Sequence, residues 1–273
     1  MGSAQKFKPK PARRAPTAPR HGVARVISKL GLGSRTEAAQ WVRAGRVRVN
    51  GRVVSDAEFP VRQGLDRIDL DGRETTAAGR VVLMLNKPRG LVTTRHDEQS
   101  RDTVYRCFAG AGLPWLAPVG RLDKASEGLL LFCNDPAWAA RITDPATGPP
   151  KTYHVQIDRL PDAALLAELA RGAVIDGERL GVRSVRRVRS GEKNSWLEIT
   201  LEEGRNRQIR RLLEAFDVSV LRLVRVGVGS LLLGELAKGK WRTLSEREIN
   251  GLWPSATHHP KRAGPDPPKR ARA

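Results

Sequence analysis

The sequence predicts an α+β protein in which a small helix–helix–hairpin module, residues 21–74, precedes a larger domain, residues 80–254, with a mainly antiparallel sheet. Two observations predict this class. Residues 23–50 show apolar side chains at helical spacing and then a hairpin signal, whereas short alternating apolar runs recur beyond residue 80. The two ends, 1–20 and 255–273, are rich in proline and basic residues, and we expect them to be disordered arms.

The elements of the first module follow from local signals. Apolar residues at helical spacing predict a first helix over 23–30, and residues 34–37 form a capping-box pattern that opens a second helix. Residues 47–49 alternate between valine and arginine and predict a strand, which Asn50–Gly51 turns back as a hairpin. We expect a further strand near residues 68–70.

The larger domain is predicted from apolar runs that lie between a few helical segments. Continuous or alternating runs predict strands at 81–85, 128–133, 152–157, 196–201 and 221–228. Helical spacing predicts helices at 136–142, 161–171 and 207–216, and a second capping box opens a last short helix at 245–248. Many strands with few helices between them favour a largely antiparallel sheet.

Charge and cysteine content exclude several classes of protein. The chain has 49 Lys and Arg against 29 Asp and Glu, a net charge of +20, which nucleic acid or an acidic membrane surface would balance. No apolar run is long enough to span a bilayer, the first residues lack the apolar segment of a secretory signal, and Cys107 and Cys133 are the only cysteines. We therefore expect a cytoplasmic, metal-free protein that binds nucleic acid and has no membrane partner.

Arginines are concentrated in the first module. The run from Arg25 through the capping box at 34–37 to Gly45-Arg46-Val47 and Asn50–Gly51 resembles the small RNA-binding domain named after ribosomal protein S-four, with Val26 in place of the usual Leu. The resemblance implies binding to structured RNA, by shape more than by sequence. The candidate RNA-binding residues are Arg25, Arg35, Arg43, Arg46 and Arg48.

Two segments of the larger domain carry single candidate residues. Asp123 lies on a predicted turn between Arg121 and Lys124, before a buried strand, so its carboxylate could act as a nucleophile or base or form an ordinary surface ion pair. Tyr153 lies on an alternating strand and shares a face with Lys151. It could stack on a base, move a proton or fill the core.

A third segment, residues 204–212, carries four arginines within seven residues at a predicted strand-to-helix turn. Helical spacing brings Arg207 beside Arg210 and Arg211, and like charges at this spacing need an anion among them. That anion is RNA phosphate, a carboxylate such as Asp123, or both.

In their order and spacing these segments resemble the pseudouridine synthases of ribosomal RNA, in the branch that carries an S-four-like domain. The resemblance covers roughly residues 22–253 and departs from the family pattern at Phe132–Cys133 and in the proline-rich run 145–150. It is carried by the strings Leu85-Asn86-Lys87-Pro88-Arg89-Gly90, Pro118-Val119-Gly120-Arg121-Leu122-Asp123, Gly128-Leu129-Leu130-Leu131 with Asn134-Asp135, Lys151-Thr152-Tyr153 and Gly204-Arg205-Asn206-Arg207-Gln208-Ile209-Arg210-Arg211.

The family isomerises uridine in place without metal or redox cofactor: the bond from the sugar to ring nitrogen 1 breaks, and carbon 5 takes the place of that nitrogen. The resemblance implies that Asp123 is the catalytic carboxylate, whether it attacks the sugar, attacks the base or abstracts a sugar proton. It implies also that Arg210 pairs with Asp123, that Tyr153 stacks on the uracil, and that Arg121 fills the gap left by a flipped base. The residues expected to bind substrate RNA are Arg121, Arg205, Arg207, Arg211, Lys87 and Arg89.

Two other classes stay open from the residues alone. A pure RNA-binding or ribosome-assembly protein would explain the charge and the first module, but not the segments that follow. A glycosidase acting on RNA would need a second carboxylate near Asp123, and Glu127 and Asp135 are the acids nearest to it in the sequence. We expect an enzyme that acts as a monomer, without cofactor, on a structured hairpin of ribosomal RNA, more specifically of the large subunit, with the target uridine flipped out.

Overall fold

A computed structural model describes residues 19–95 and 97–253 of the chain. The two predicted arms lie outside these residues, apart from Pro19 and Arg20. The described part of the chain forms two compact units that divide between Gly79 and Arg80. Together their helices and sheets give the α+β class that the sequence predicts.

The first unit joins two helices to a small antiparallel sheet. Its elements are β1 (His21–Gly22), α1 (Val23–Lys29), α2 (Arg35–Arg43), β2 (Val47–Val49), β3 (Arg52–Val53), β4 (Pro60–Val61), β5 (Ile68–Leu70) and β6 (Arg73–Glu74). The strands pair in the order β3-β2-β5-β6, and β1 pairs with β4. The predicted capping box opens α2, since the Ser34 hydroxyl accepts from the Glu37 N–H at 3.0 Å and the Glu37 carboxylate accepts from the Ser34 N–H at 2.9 Å.

One apolar core holds this unit together. The buried face of α1 includes Val26, so the residue that departs from the usual Leu still fills the core. On β2 the two valines point inward and Arg48 points outward, as the alternation predicts. Asn50 and Gly51 have φ angles of 51° and 81°, the left-handed conformation that a tight two-residue hairpin turn requires.

The described part of the second unit has eleven strands, and nine of them form one sheet. Its strands are β7 (Val82–Lys87), β8 (Ala117–Val119), β9 (Glu127–Cys133), β10 (Lys151–Ile157), β11 (Ala173–Ile175), β12 (Glu178–Leu180), β13 (Ser184–Ser190), β14 (Ser195–Leu201), β15 (Val220–Val228), β16 (Leu231–Leu232) and β17 (Trp241–Thr243). Its helices are α3 (Pro136–Thr143), α4 (Ala163–Arg171), α5 (Gln208–Glu214) and α6 (Glu246–Asn250), with a 3-10 turn at Val104–Phe108.

The main sheet has the order β13-β14-β10-β15-β9-β7-β17, with β8 added on β9 and β16 on β15, while β11 and β12 form a separate hairpin. Every pair in it is antiparallel except β15 with β9, which confirms the predicted mainly antiparallel sheet. All residues of β7 and β9 are buried, because apolar clusters cover both faces at this point. One cluster includes residues of α4 and α5, and the other includes residues of α3 and α6.

The parallel pair of β9 and β15 depends on a close approach at Gly128. A Cβ added at Gly128 would lie 2.2 Å from the backbone oxygen of Arg225, and Gly128 has a φ of 100°. A side chain at this position would therefore push the two strands apart. The approach places the turn that precedes β9, which carries Asp123, beside the middle of β15.

Two parts of this unit that the sequence analysis does not predict are strand β13 and the β11–β12 hairpin. β13 is an exposed edge strand whose residues are largely polar and basic, so the expected alternation of apolar side chains is absent. The β11–β12 hairpin is short, and its turn is formed by Asp176 and Gly177 with φ angles of 54° and 76°. An Asp-Gly pair after a short apolar run is a hairpin signal, and it could have predicted this element.

Candidate active site

The turn that carries Asp123 is held in place from beneath by a buried lysine. The Lys87 ammonium donates hydrogen bonds to the backbone oxygens of Ser126 at 2.8 Å, Asp123 at 3.1 Å and Pro88 at 3.2 Å. The Ser126 N–H also donates to the Asp123 carbonyl at 3.0 Å, which closes the turn. The backbone of Asp123 is therefore fixed, and its carboxylate is free to face a cavity.

Lys87 cannot serve as the RNA contact that the sequence interpretation assigned to it. Its side chain is 0% exposed, and its three donors are all directed at backbone carbonyls. Burial lowers the pKa of Lys87 to about 8, while the negative charges of Asp123 and Glu127 act in the opposite direction. That expectation is wrong because the lysine lies behind the Asp123 turn, away from the surface.

A cavity of about 530 Å³ opens in front of Asp123. Its walls come from the Asp123 turn, from β10, from the segment 203–210 and from β15. Tyr153 lies on the buried face of β10, which it shares with Lys151 as predicted, and the residue is 9% exposed. Asp123, Tyr153 and Arg210 all line this one cavity, so three residues far apart in the sequence come together here.

Arg210 lies near Asp123 but does not form the predicted ion pair with it. No salt bridge within 4.0 Å joins the two described side chains, and the nearest partner of Arg210 is the Ala125 carbonyl, 3.5 Å from its Nη2. Its Nε is buried without a hydrogen-bond partner among the described residues. The pKa of Arg210 is lowered, first by burial and then by the charge of Arg207, while Asp123 opposes this shift.

The anion required within the arginine cluster is a glutamate on the β11–β12 hairpin. The two oxygens of Glu178 each lie 2.8 Å from a guanidinium, one from Arg205 and the other from Arg211. Glu203 lies 2.8 Å from Arg205, and Asp176 lies 3.3 Å from Arg211. Carboxylates of the chain pair with both Arg205 and Arg211, and the RNA contact that the sequence predicts for these two arginines stays a prediction.

The remaining predicted arginines of the site, Arg89, Arg121 and Arg207, are exposed. Arg207 is the N-cap residue directly before α5. Its φ of 49° is a left-handed conformation that is uncommon for a residue with a side chain. Arg121 and Arg207 line both the cavity and an adjoining groove of about 690 Å³ that runs toward residues 92–101. Arg89 is exposed, and its charge contributes to the lowered pKa of Arg210.

Two buried cations in the cavity wall were not among the predicted site residues. Lys151 is 9% exposed and Arg225 is 6% exposed, and both line the cavity. The alternation of β15 could have found Arg225, because it falls on the same face of the strand as the buried Leu223. An arginine at such a position marks a buried charge that needs an explanation.

In the first unit the five predicted RNA-binding arginines are all exposed. Arg25, Arg35 and Arg43 line one hollow, of about 380 Å³, that also includes Asp56 and Glu58. Arg46 instead pairs with Asp71 at 2.6 Å and lies over the ring of Trp41, and Arg48 donates to the Gly51 carbonyl at 3.4 Å.

Within residues 19–95 and 97–253, no group of three His, Cys, Asp or Glu side chains is arranged to hold a metal ion. None of the helices described is both long and apolar enough to cross a membrane.

Comparison with known proteins identifies both units. A family model described as RNA pseudouridylate synthase matches residues 81–215, and a model of the S4 domain matches residues 23–66. A Bacillus subtilis protein named ribosomal large subunit pseudouridine synthase B is 32% identical over 86% of this chain and 96% of its own length. The chain belongs to the RNA pseudouridine synthase family.

Two further similarities agree with this family. An Aquifex aeolicus protein named as an RNA pseudouridine synthase is 33% identical over 84% of this chain and 92% of its own. The crystal structure of a pseudouridylate synthase superposes with a TM-score of 0.59 at 30% identity, and covers 86% of this chain and all of that one. The predicted resemblance, the S4 domain included, is confirmed, and a pure RNA-binding protein is excluded because the family consists of enzymes.

Proposed function

We propose that this pseudouridine synthase isomerises a uridine of large-subunit ribosomal RNA, with Asp123 as the catalytic carboxylate and without a cofactor. The observation that carries the proposal is that Asp123, Tyr153 and Arg210 line one cavity in front of a rigidly held turn. Relatives named for the large ribosomal subunit support the choice of RNA. The enzyme acts as a monomer in the cytoplasm.

The cavity has the size and chemistry for one flipped nucleotide. At about 530 Å³ it falls in the range of small-ligand sites, and its wall combines the Tyr153 ring with the charged groups of Asp123 and Arg210. A uridine must leave its helix to expose both faces of the base and its sugar to a carboxylate. Tyr153 stacks on the flipped uracil, and Arg121, exposed at the cavity mouth, fills the gap in the RNA.

Charge at the cavity mouth supports RNA docking there. Arg207 and Arg89 are exposed and contact the RNA backbone beside the flipped base. Arg205 and Arg211 act differently, because Glu178 ties both to the β11–β12 hairpin, and of the two only Arg205 lines the cavity. The S4 domain adds a second basic surface through Arg25, Arg35 and Arg43, which binds structured RNA.

The described acids disfavour a glycosidase. Such an enzyme needs two carboxylates that flank the reacting bond. Glu203 also lines the cavity, but it is paired with Arg205 at 2.8 Å. Glu127 is 3% exposed and bound by Arg222 and Lys238, and Asp135 caps α3, so neither acid lines the cavity with Asp123.

The proposal is tested with transcripts of large- and small-subunit ribosomal RNA that carry tritium at carbon 5 of uridine. We expect tritium release from large-subunit RNA and none from small-subunit RNA. Asp123→Asn is almost isosteric but lacks the ionised oxygen, and we expect it to abolish release while RNA affinity stays within about twofold. Free uracil would indicate a glycosidase, and Asp123→Asn turnover within tenfold of wild type would refute the assigned carboxylate.

A further inference from the structure

The cavity that Asp123 lines also has two buried cations in its wall, and neither has a carboxylate partner among the described residues. Lys151 and Arg225 lie on the neighbouring strands β10 and β15, on the face that points into the cavity. No carboxylate lies within 4.0 Å of either cation in the described part of the chain, whereas Arg205, Arg211 and Arg222 all have one. Arg207 and Arg210 also lack a carboxylate partner among the described residues, but they are less buried than Lys151 and Arg225.

Arg225 is anchored and its charge is fixed in place. Its Nε donates to the Leu129 carbonyl at 2.6 Å, across the parallel pair of β9 and β15. Because only one of its nitrogens has a partner among the described residues, the rest of its guanidinium is left toward the cavity. In strand register Arg225 lies directly opposite Tyr153.

Lys151 has neither an anchor nor a hydrogen-bond partner for its ammonium among the described residues. It lies two residues before Tyr153 on the same face of β10. Burial lowers its pKa, the charge of Arg225 lowers it further, and Asp144 opposes the shift. A desolvated ammonium next to a second cation is costly to the fold, so its retention at a cavity wall indicates a role toward a ligand.

The chemistry of uridine isomerisation supplies a group that needs such a cation. Attack of Asp123 on the sugar, or loss of a sugar proton to it, expels the uracil ring with the electron pair of the bond to nitrogen 1. Attack on the base instead moves an electron pair onto the ring oxygen at carbon 4. Carbon 5 then bonds to the sugar, and the bond that Asp123 had formed to the sugar or the base breaks, or the sugar regains the proton that it lost. The proton on carbon 5 leaves and nitrogen 1 takes up a proton, so the ring is neutral, the Asp123 carboxylate is regenerated and nothing is consumed. Each route passes through a negatively charged uracil ring.

We propose that Lys151 is a further catalytic residue, whose ammonium donates a hydrogen bond to a carbonyl oxygen of the target uracil and stabilises the negative charge that the ring acquires. Arg225, which is held by the Leu129 carbonyl opposite Tyr153, adds a second positive charge to this wall. The inference rests on the proposed function, since it assumes that the uracil enters the cavity of Asp123. Charge stabilisation by one preorganised donor is worth about 100-fold or more in rate.

The test compares full-length Lys151→Met and Lys151→Arg with wild type and with Lys193→Met, the same change on the exposed β13–β14 turn. The substrate is total RNA from a strain of the source organism that lacks this gene, so that the comparison holds at whichever uridine is modified. Single-turnover rates at saturating enzyme, RNA dissociation constants and thermal unfolding midpoints are measured for each.

For Lys151→Met we expect a rate at least about 100-fold below wild type, RNA affinity within about threefold, and an unfolding midpoint that is unchanged or higher. The rate of Lys151→Arg should be at least tenfold above that of Lys151→Met, and the rate of Lys193→Met should match wild type.

A Lys151→Met rate within about threefold of wild type overturns the proposal. A loss in rate that is explained by weaker RNA binding also overturns the proposal. A lower unfolding midpoint for Lys151→Met overturns it too, because that result indicates a structural role for the lysine. If the wild-type protein modifies a uridine outside large-subunit RNA, only the proposed target is refuted. A reduced rate for Lys151→Met at that uridine still supports the role of Lys151.

Discussion

Lys87 and Lys151 are two buried lysines of the same unit, and their surroundings are opposite. Lys87 directs all three donors at backbone carbonyls around the Asp123 turn. Lys151 lines the cavity and has no such partner among the described residues. Burial lowers the pKa of both. Burial alone therefore does not distinguish a lysine that builds the site from one that acts in it.

The same contrast divides the arginines of residues 204–212. Glu178 neutralises Arg205 and Arg211, whereas Arg207 and Arg210 have no carboxylate partner within 4.0 Å among the residues described. Charges that are satisfied within the chain hold the walls of the cavity together. Those left unsatisfied face the place where an anionic substrate would lie, and this is the general arrangement of sites that stabilise developing charge.

The largest effect on stability should come from removing the satisfied lysine. Lys87→Met removes the lysine donor from three carbonyls, of which only that of Asp123 keeps another donor among the described residues, the Ser126 N–H, and we expect the free energy of unfolding to fall by about 3 kcal/mol. Lys151→Met makes the same change at a similarly buried position and should cause no fall. Urea unfolding of both variants measures the contrast, and equal losses would show that the two lysines play the same structural part.

A smaller effect on rate should separate the two kinds of arginine. Arg210→Met removes an unpaired cation near Asp123, and we expect the single-turnover rate to fall about tenfold to 100-fold. Arg205→Met breaks pairs with Glu178 and Glu203 that are more than one-quarter exposed, so it should lower the free energy of unfolding by at most about 1 kcal/mol and the rate by less than about threefold. Equal rates for the two variants would contradict this division.

Much of this arrangement follows from local sequence signals. The capping boxes at Ser34–Glu37 and Ser245–Glu248 form as predicted, because their hydrogen bonds join residues only three apart. The period of β10 puts Tyr153 on the cavity face, since alternation alone decides the face of a strand. Resemblance to a known family identified the chemistry, and the geometry adds that Asp123 faces a cavity with Tyr153 and Arg210.

Charge pairing is the part that the sequence does not predict. The partner of Arg205 and Arg211 is Glu178, which lies 27 and 33 residues away on a hairpin that only folding brings near. The family resemblance implies that Arg210 pairs with Asp123, whereas its nearest partner in the structure is the Ala125 carbonyl. Partners of long charged side chains depend on tertiary distances of a few ångströms, and spacing along the chain gives no measure of these.

The smallest effect is a pH dependence that sharpens the contrast between the lysines. Burial and the charge of Arg225 on β15 lower the pKa of Lys151 below its ordinary 10.5, while Asp144 after α3 opposes them. Between the folded and the unfolded pKa, the unfolded chain binds more protons than the folded chain, so this lysine contributes stability that increases as the pH rises. Below that window the desolvated ammonium is fully charged and Met is favoured at its position. The stability advantage of Lys151→Met over wild type should therefore shrink as the pH is raised from about 7 to about 10.

Urea unfolding at several pH values measures this difference in the free energy of unfolding, with Lys193→Met as the baseline for a lysine lost from an exposed turn. A constant difference across the range would mean that the Lys151 ammonium is not desolvated, and would remove the physical basis for distinguishing it from a surface lysine.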